Sequence, residues 1–388
     1  MKKLLLLLII PFLSFGQGWI QTYWSTNNNI SGRIVKQTDD GGYIVTGGVK
    51  ESNDYDVYLI KTDADGNEQW SQTYGGTEGD EGVCVQQTSD GGYIISASTK
   101  SFGNGLGDVY LIKTDADGNE QWSQTYGGTE NDGGWGVQQT SDGGYIISAS
   151  TNSFGNGGYD YWLIKTDLNG DSIWTQTYGG TSSEYAGVIQ QTSDGGYVVV
   201  GGGDMDDEGA WLIKTDINGD SVWTQTCTAG SWVRCVQQTS DAGYVLGGTT
   251  SSYPEDPEYY LIKINENGEE QWYQTYGEDC YEDPVNLDTD YCLDWGFWVE
   301  QTSDGGYIMS GIKEDITEMS QFGEDRIRVQ LIKTDSEGNV TSTNIIETPA
   351  IKKNLITKVD ILGRETNNEG FQLHIYDDGS VEKKYLIE

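Results

Sequence analysis

The sequence predicts an all-β fold, a six-bladed β-propeller of four-stranded antiparallel blades, and three observations carry that reading. A triple motif, WxQT[YC] then QTxDxGY then LIKxx, recurs six times at intervals of roughly fifty residues, from Trp19, Gln37 and Leu59 to Trp272, Gln301 and Leu331. The segments between the turns are β-rich, and none has a helical period. The repeats also open on a fourth-strand motif and close one strand short, as a ring sealed by its own N-terminal strand would require. With 54 Gly, 25 Tyr, 13 Trp and 5 Pro, and with apolar residues spread evenly, the core is distributed among the repeats. A formal charge of -39 argues against partners that present phosphates, so neither nucleic acid nor an anionic membrane face is expected.

In chain order, Lys2, Lys3, the apolar stretch from Leu4 to Leu13 and the small residues Ser14 and Gly16 before Gln17 read as a secretory signal over 1–16. The apolar run is too short to span a bilayer, no cysteine follows it to carry a lipid, and no other segment is a membrane candidate. The repeat region then occupies 17–344. Trp19 to Tyr23 is expected to pair with Val329 to Asp335 as the outer strand of the last blade.

The second unit shows how each blade is built. Val83 to Thr88 and Tyr93 to Thr99 flank Ser89-Asp90-Gly91-Gly92, which is one hairpin. Asp108 to Asp115 and Glu120 to Tyr126 flank Ala116-Asp117-Gly118-Asn119, which is a second. Together they make a four-stranded meander. Residues 56–78 are identical to 108–130, and 85–99 to 137–151, so the repeated residues read as interchangeable structural parts. Trp70, Trp122, Trp174, Trp223 and Trp272 are expected to fill the space between blades, and the repeated Gln to bond backbone groups.

The turn Asp63-Ala64-Asp65-Gly66-Asn67 and its copy Asp115 to Asn119 place oxygen side chains at alternate positions. Asp63, Asp65, Asn67, Asp115, Asp117 and Asn119 are therefore candidate Ca²⁺ ligands. The Gly comes too early for an EF-hand, and Gly-Asn is ordinary hairpin chemistry, so a plain turn is the preferred reading and Ca²⁺ the alternative. Five cysteines in a secreted chain leave one over. Cys280 and Cys292 share an inserted loop and are the expected disulfide. Cys84 and Cys235 stand at one repeat position in different blades and are expected to be buried free thiols, with Cys227 a packing substitute for Tyr.

A catalytic residue is not assigned. The sole histidine, His374, lies outside the repeats, and neither a nucleophile elbow nor a His/Cys metal cluster is present. Paired carboxylates leave glycoside hydrolysis as the alternative to binding. The first and third connections of each blade, SDGG and DADGN, scarcely vary, whereas the second and fourth are irregular and share the opposite face. They are 101–107, 153–159, 204–209, 251–258, 277–296 and 313–325. Tyr281, Asp283, Asp288, Asp290, Tyr291, Asp294, Trp295 and Trp298 are the candidate ligand-binding residues, stacking platforms beside acidic groups that suit a glycan or another surface polymer.

Thr88 to Tyr93 loosely resembles the Asp-box hairpin of sialidase-type propellers, which in that family is structural. The catalytic arginine cluster of that family has no evident counterpart among Arg33, Arg234, Arg326 and Arg328. Kelch propellers share the period but place their Gly pair at the end of a strand, whereas here it precedes one. After a linker over 345–353, the segment 354–388 carries Lys358-Val359-Asp360-Ile361-Leu362-Gly363-Arg364-Glu365 and Ile375-Tyr376-Asp377-Asp378-Gly379-Ser380-Val381-Glu382-Lys383-Lys384. These blocks resemble the type A C-terminal sorting domain of type IX secretion substrates in Bacteroidetes, and the repeats resemble the YLIKTDxxGN/QTSDGGY proteins of such genomes. The resemblance implies that Asp360, Gly363, Arg364, Tyr376, Asp377, Asp378, Gly379 and Lys383 form the recognition motif for the type IX machinery. It also implies that the chain is secreted or attached to the outer-membrane surface. The expected function is non-catalytic binding or adhesion, with a carbohydrate-active enzyme or a structural surface-layer component as alternatives.

Overall fold

The computed structural model describes residues 29–50, 54–202, 210–227, 232–250, 258–277, 293–315, 326–342, 355–359, 370–376 and 381–386. Every regular element among them is a β-strand. The first sheet contains β1 (Asn29–Gln37), β2 (Tyr43–Lys50), β3 (Tyr55–Thr62) and β4 (Glu68–Tyr74). The second contains β5 (Asp80–Gln87), β6 (Tyr93–Thr99), β7 (Asp108–Thr114) and β8 (Glu120–Tyr126), and the third β9 (Asp132–Gln139), β10 (Tyr145–Thr151), β11 (Asp160–Thr166) and β12 (Ser172–Tyr178). The fourth has β13 (Tyr185–Gln191), β14 (Tyr197–Gly202), β15 (Ala210–Thr215) and β16 (Ser221–Cys227), and the fifth β17 (Trp232–Gln238), β18 (Tyr244–Thr249), β19 (Tyr259–Ile264) and β20 (Glu270–Tyr276). The sixth is β21 (Leu293–Gln301), β22 (Tyr307–Asp315), β23 (Arg326–Thr334) and β24 (Val340–Ser342). Each is an antiparallel meander with its strands in chain order, and consecutive sheets pack face to face, the propeller-like arrangement that the repeats predict.

The turns explain why the same residues recur. In Thr88 to Gly92, the Gly91 N–H donates to the Thr88 carbonyl at 2.8 Å and the Thr88 N–H to the Gly92 carbonyl at 2.9 Å. Gly91 sits at φ +83°, and a Cβ on Gly92 would collide with the Thr114 carbonyl, so each glycine of the pair has its own steric reason. Asp90 Oδ1 accepts from the Thr88 hydroxyl and the Gly92 N–H. The Lys of each LIKT lies beneath this turn. Lys113 is 3% exposed, and its Nζ donates to Asp90 Oδ2 at 2.9 Å, to the Thr114 carbonyl at 2.8 Å and to Gln121 Oε1 at 3.1 Å. One buried ammonium thus pins the first turn to the third and fourth strands. All six sheets repeat the Lys–Asp pair. Burial pushes the Asp90 carboxyl up, and the Thr88, Lys113 and Gly92 donors more than offset it, holding it down at about 2.

Neighbouring sheets are joined by two recurring devices. The Trp of WxQT[YC] stands edge-on to the Tyr of the next sheet's QTxDxGY, as in Trp122 with Tyr145 at 5.8 Å and 61°. It also caps that sheet's third turn, so closely that a Cβ on Gly170 would lie 2.7 Å from the Trp122 ring. Tyr126 completes the seat by donating its hydroxyl to the Gly170 carbonyl at 2.5 Å. The second device is reciprocal. Gln86 Oε1 accepts the Gln139 N–H at 2.7 Å, and Gln139 Oε1 accepts the Ser89 N–H at 2.8 Å, so two glutamines stitch two inner strands. Both expected roles, Trp as filler and Gln as backbone partner, are present. Between the sheets, Val57, Leu59, Val85, Ile95, Ala97 and Ile112 belong to one continuous apolar cluster.

The expected edge of the last sheet needs a correction. Val340–Ser342 is its fourth strand, with Thr334 opposite Val340 and Lys333 opposite Ser342. It therefore takes the Lys333–Thr334 end of the edge assigned to Trp19–Tyr23, because the chain leaving the 335–339 turn falls naturally into the register of the other outer strands. Trp19–Tyr23 itself lies outside the described residues. The C-terminal segment supplies a three-stranded antiparallel sheet, β25 (Leu355–Val359), β26 (Gly370–Tyr376) and β27 (Val381–Leu386). Tyr376 ends β26 opposite Leu355, and Lys383 lies in β27 opposite Leu373. Asp360, Gly363, Arg364, Asp377, Asp378 and Gly379 lie outside the described residues.

Candidate binding face

The two ends of the sheets differ as the sequence predicts. On one end the first and third turns of the sheets each repeat one pattern of backbone bonding. Asp63 Oδ1 accepts the Asp65 and Asn67 N–H groups at 2.9 and 2.8 Å, and its Oδ2 accepts Asn67 Nδ2 at 2.9 Å. Asp115 does the same with Asp117 and Asn119. The Asn67 side chain, then the backbone donors, hold the Asp63 carboxyl below its usual range. Asp63 and Asp115 thus cap their own turns.

The other end carries the second and fourth connections. In the second sheet the loop 101–107 is held from below. Ser101 Oγ accepts the Glu78 N–H at 3.0 Å and donates to Asp80 Oδ2 at 2.7 Å, while the Phe102 N–H donates to Thr99 Oγ1 at 3.1 Å. Asn104 N–H donates to Asp108 Oδ2 at 2.9 Å. This bonding holds the Phe102 side chain on the rim, 41% exposed, its ring 5.4 Å from Tyr110. Phe102 and Tyr110, with Ser123, Gln124 and Thr125 of β8, line a cavity of about 240 Å³. The third sheet repeats the construction with Phe154, 44% exposed and 5.1 Å from Trp162. Trp135 and Tyr185 add exposed rings, the latter 5.1 Å from Tyr159. An aromatic face beside amide and hydroxyl groups is the usual apparatus for holding a sugar ring, C–H groups on the ring and hydroxyls on the polar side chains.

The predicted binding residues fare unequally. Tyr281, Asp283, Asp288, Asp290 and Tyr291, and the expected Cys280–Cys292 disulfide, lie outside the described residues. Asp294 and Trp295 belong to β21 and not to a loop, opposite Lys313 and Ile312. Trp298 sits further along the same strand, opposite Ser310, in the inner part of the sixth sheet. Its indole N–H donates to Glu300 Oε1 at 3.0 Å, and its ring carries the Lys36 ammonium 3.4 Å from the centroid. Lys36 of β1 thus makes a cation–π contact with Trp298 of β21. Burial lowers the Lys36 pKa, opposed by Cys84, Cys235 and Glu300. Lys36 and Glu300 occupy the position held by Gln86, Gln138, Gln190 and Gln237 in the other sheets. This exchange of two amides for a Lys and a Glu was visible in the repeat alignment and is the signal that sequence reasoning passed over. Cys84 and Cys235 are free thiols, Cys235 buried and pushed by burial to about 12.

Comparison with solved structures agrees with the fold. A protein of unknown function from Dyadobacter fermentans superposes with a TM-score of 0.50 at 12% identity, covering 78% of this chain and 96% of its own. A second protein of unknown function, from Bacteroides caccae, gives 0.47 at 13% identity over 78% of this chain and 93% of its own. The WD40 domain of Pan2 from Neurospora crassa gives 0.46 at 11% over 78% and 79%. No protein-family model matches the chain, and no curated protein matches it in sequence.

Proposed function

We propose that the chain is an exported, non-catalytic binding module whose repeats form a six-bladed ring. Its loop-bearing face takes a glycan or another polymer of the cell surface. The observation that carries this reading is the contrast between the two ends: one is occupied by turns that satisfy themselves, the other displays Phe102 beside an open cavity and repeats the exposed ring in the next sheet with Phe154. An exposed ring beside a cavity with polar walls is a common form of binding surface. Ring closure is supported by the Lys36–Trp298 contact and by motif arithmetic. Five described Trp side chains sit on five neighbouring turns, and Trp19-Ile20-Gln21-Thr22-Tyr23 supplies a sixth motif for the sixth turn, 63–67. Export rests on the N-terminal signal and the resemblance of 354–388 to the type IX sorting domain.

Two experiments test the reading. The secreted chain, applied to an array of glycans and purified surface polysaccharides with the products analysed, should retain a polymer and release no reducing ends; hydrolysis would replace this function with that of a carbohydrate-active enzyme. Deletion of Leu355 to Glu388 in a type IX-competent host should leave the repeats in the periplasm. Unchanged display would overturn the proposed route.

A further inference from the structure

Three times on the loop-bearing face, where one sheet passes to the next, two carboxyl groups close on the glycine that follows a WxQTY strand. At the second junction they belong to Asp108 and Asp132, the first residues of β7 and β9, on either side of Gly127. The first junction repeats the arrangement with Asp56 and Asp80 about Gly75, and the third with Asp160 and Glu184 about Gly179. Asp108 and Asp132 are 1% and 3% exposed. Asp132 meets neutral donors alone: Oδ1 accepts from the Thr151 hydroxyl, and Oδ2 from the Gly128 N–H at 2.8 Å and the Ser153 hydroxyl at 2.7 Å. Asp108 Oδ2 accepts the Asn104 N–H, but its buried Oδ1 has no hydrogen-bond partner. That oxygen points at the place where a Gly127 side chain would begin, and Asp132 Oδ2 lies 3.0 Å from the same place. Burial and then the Asp132 charge push the Asp108 carboxyl up, and no ammonium or guanidinium acts on it. Two buried carboxylates facing one another with only neutral donors around them are missing a positive charge.

We propose that the Asp108–Asp132 junction binds a divalent cation of the Ca²⁺ class, with equivalent sites at Asp56–Asp80 and Asp160–Glu184. An all-oxygen set of two carboxylates suits a hard cation. Ca²⁺ is favoured over Mg²⁺ because the site is bordered by irregular loops that can meet its looser geometry. The site is separate from the DADGN turns, and it would tie the loop 101–107, hence Phe102, to the start of the next sheet. It does not depend on what that face binds.

The test uses the full secreted chain, stripped with a chelator and titrated with Ca²⁺ while unfolding and aromatic-sensitised Tb³⁺ emission are followed. Native protein should gain several degrees in Tm with millimolar Ca²⁺ and sensitise Tb³⁺. The triple variant Asp56→Asn, Asp108→Asn, Asp160→Asn should lose both effects. Because Asn keeps the shape and acceptor oxygen while removing the repulsion, this variant should be at least as stable as native protein in chelator, which separates loss of metal from loss of fold. Asp63→Asn with Asp115→Asn should leave the Ca²⁺ response intact. The proposal is overturned if native protein gains nothing from Ca²⁺, if the triple variant gains as much, or if mild acid alone reproduces the gain that Ca²⁺ fails to give, the mark of a shared proton.

Discussion

At the scale of single residues the repeat acts as its own control, because a position that departs from it exposes what the consensus residue does. Ala242 stands where the other first turns have Gly41, Gly91, Gly143, Gly195 or Gly305, and it holds φ +66°. A Cβ in the left-handed region costs roughly 1 kcal/mol, so Ala242→Gly should stabilise the protein by about that amount, read from the midpoint of denaturant unfolding. Gln86 gives the opposite case. Replacing it with Leu leaves the Gln139 N–H without its acceptor, and the expected loss is about 1–2 kcal/mol. The sequence exposed the Lys of LIKT and the Asp of SDGG as constants, but not that they are one unit. Their pairing spans 23 positions in the second sheet and depends on the pleat that folds strand three beneath the first turn. The Lys36 and Glu300 exchange was equally visible and equally mute, since its meaning comes only from bringing the first and last sheets together.

Among the elements, the outer strands were the most legible, because WxQT[YC] combines a large ring, a bonding amide and a tyrosine at fixed spacing. Trp122 makes contacts with the neighbouring sheet that nothing else in β8 can supply. Trp122→Ala should therefore cost about 3 kcal/mol, seen as a lower unfolding midpoint with little change in the far-UV spectrum of the native state. The last sheet was less legible. Val340-Thr341-Ser342 lacks the Trp and was passed over as a strand, yet the 335–339 turn alone directs it onto β23, with the Asp335 carboxylate bonded to Glu337, Asn339 and the Asn339 side chain. Turn chemistry fixed pairing there without help from side-chain packing. The loops were legible only as an irregular class. Their aromatic display depends on hydrogen bonds that Thr99 and Asp108 accept and that Ser101 donates to Asp80, which no local pattern announces.

For the molecule as a whole, six near-equal sheets imply six near-equal responses to acid. Asp40, Asp90, Asp142 and Asp194 are held at about 2, below the ordinary 3.8. A carboxylate whose folded pKa is depressed stabilises the fold above its unfolded pKa and loses that contribution as pH falls through the folded value. Stability should therefore be retained to about pH 4 and fall steeply between about pH 4 and 2. Asp108 and Asp160 are shifted upward, mainly by burial, so their protonation as pH falls below the folded values relieves a cost. Asp108→Asn should remove part of that relief without moving the steep acid limb, as thermal unfolding across pH in the presence of chelator would reveal. The class of fold, the blade unit and the distinction between the two faces could be read from periodicity alone. The exposed Phe102 could not, because its place beside Tyr110 is set by hydrogen bonds within its loop and not by spacing along the chain. The central claim, that the loop-bearing face binds a surface polymer, is tested most directly by the affinity of the Phe102→Ala, Phe154→Ala variant for the polymer that native protein retains. At matched stability the account predicts at least a tenfold loss, with no loss when Asp65→Ser and Asp117→Ser alter the opposite face. Binding that survives the first pair and falls with the second would contradict it.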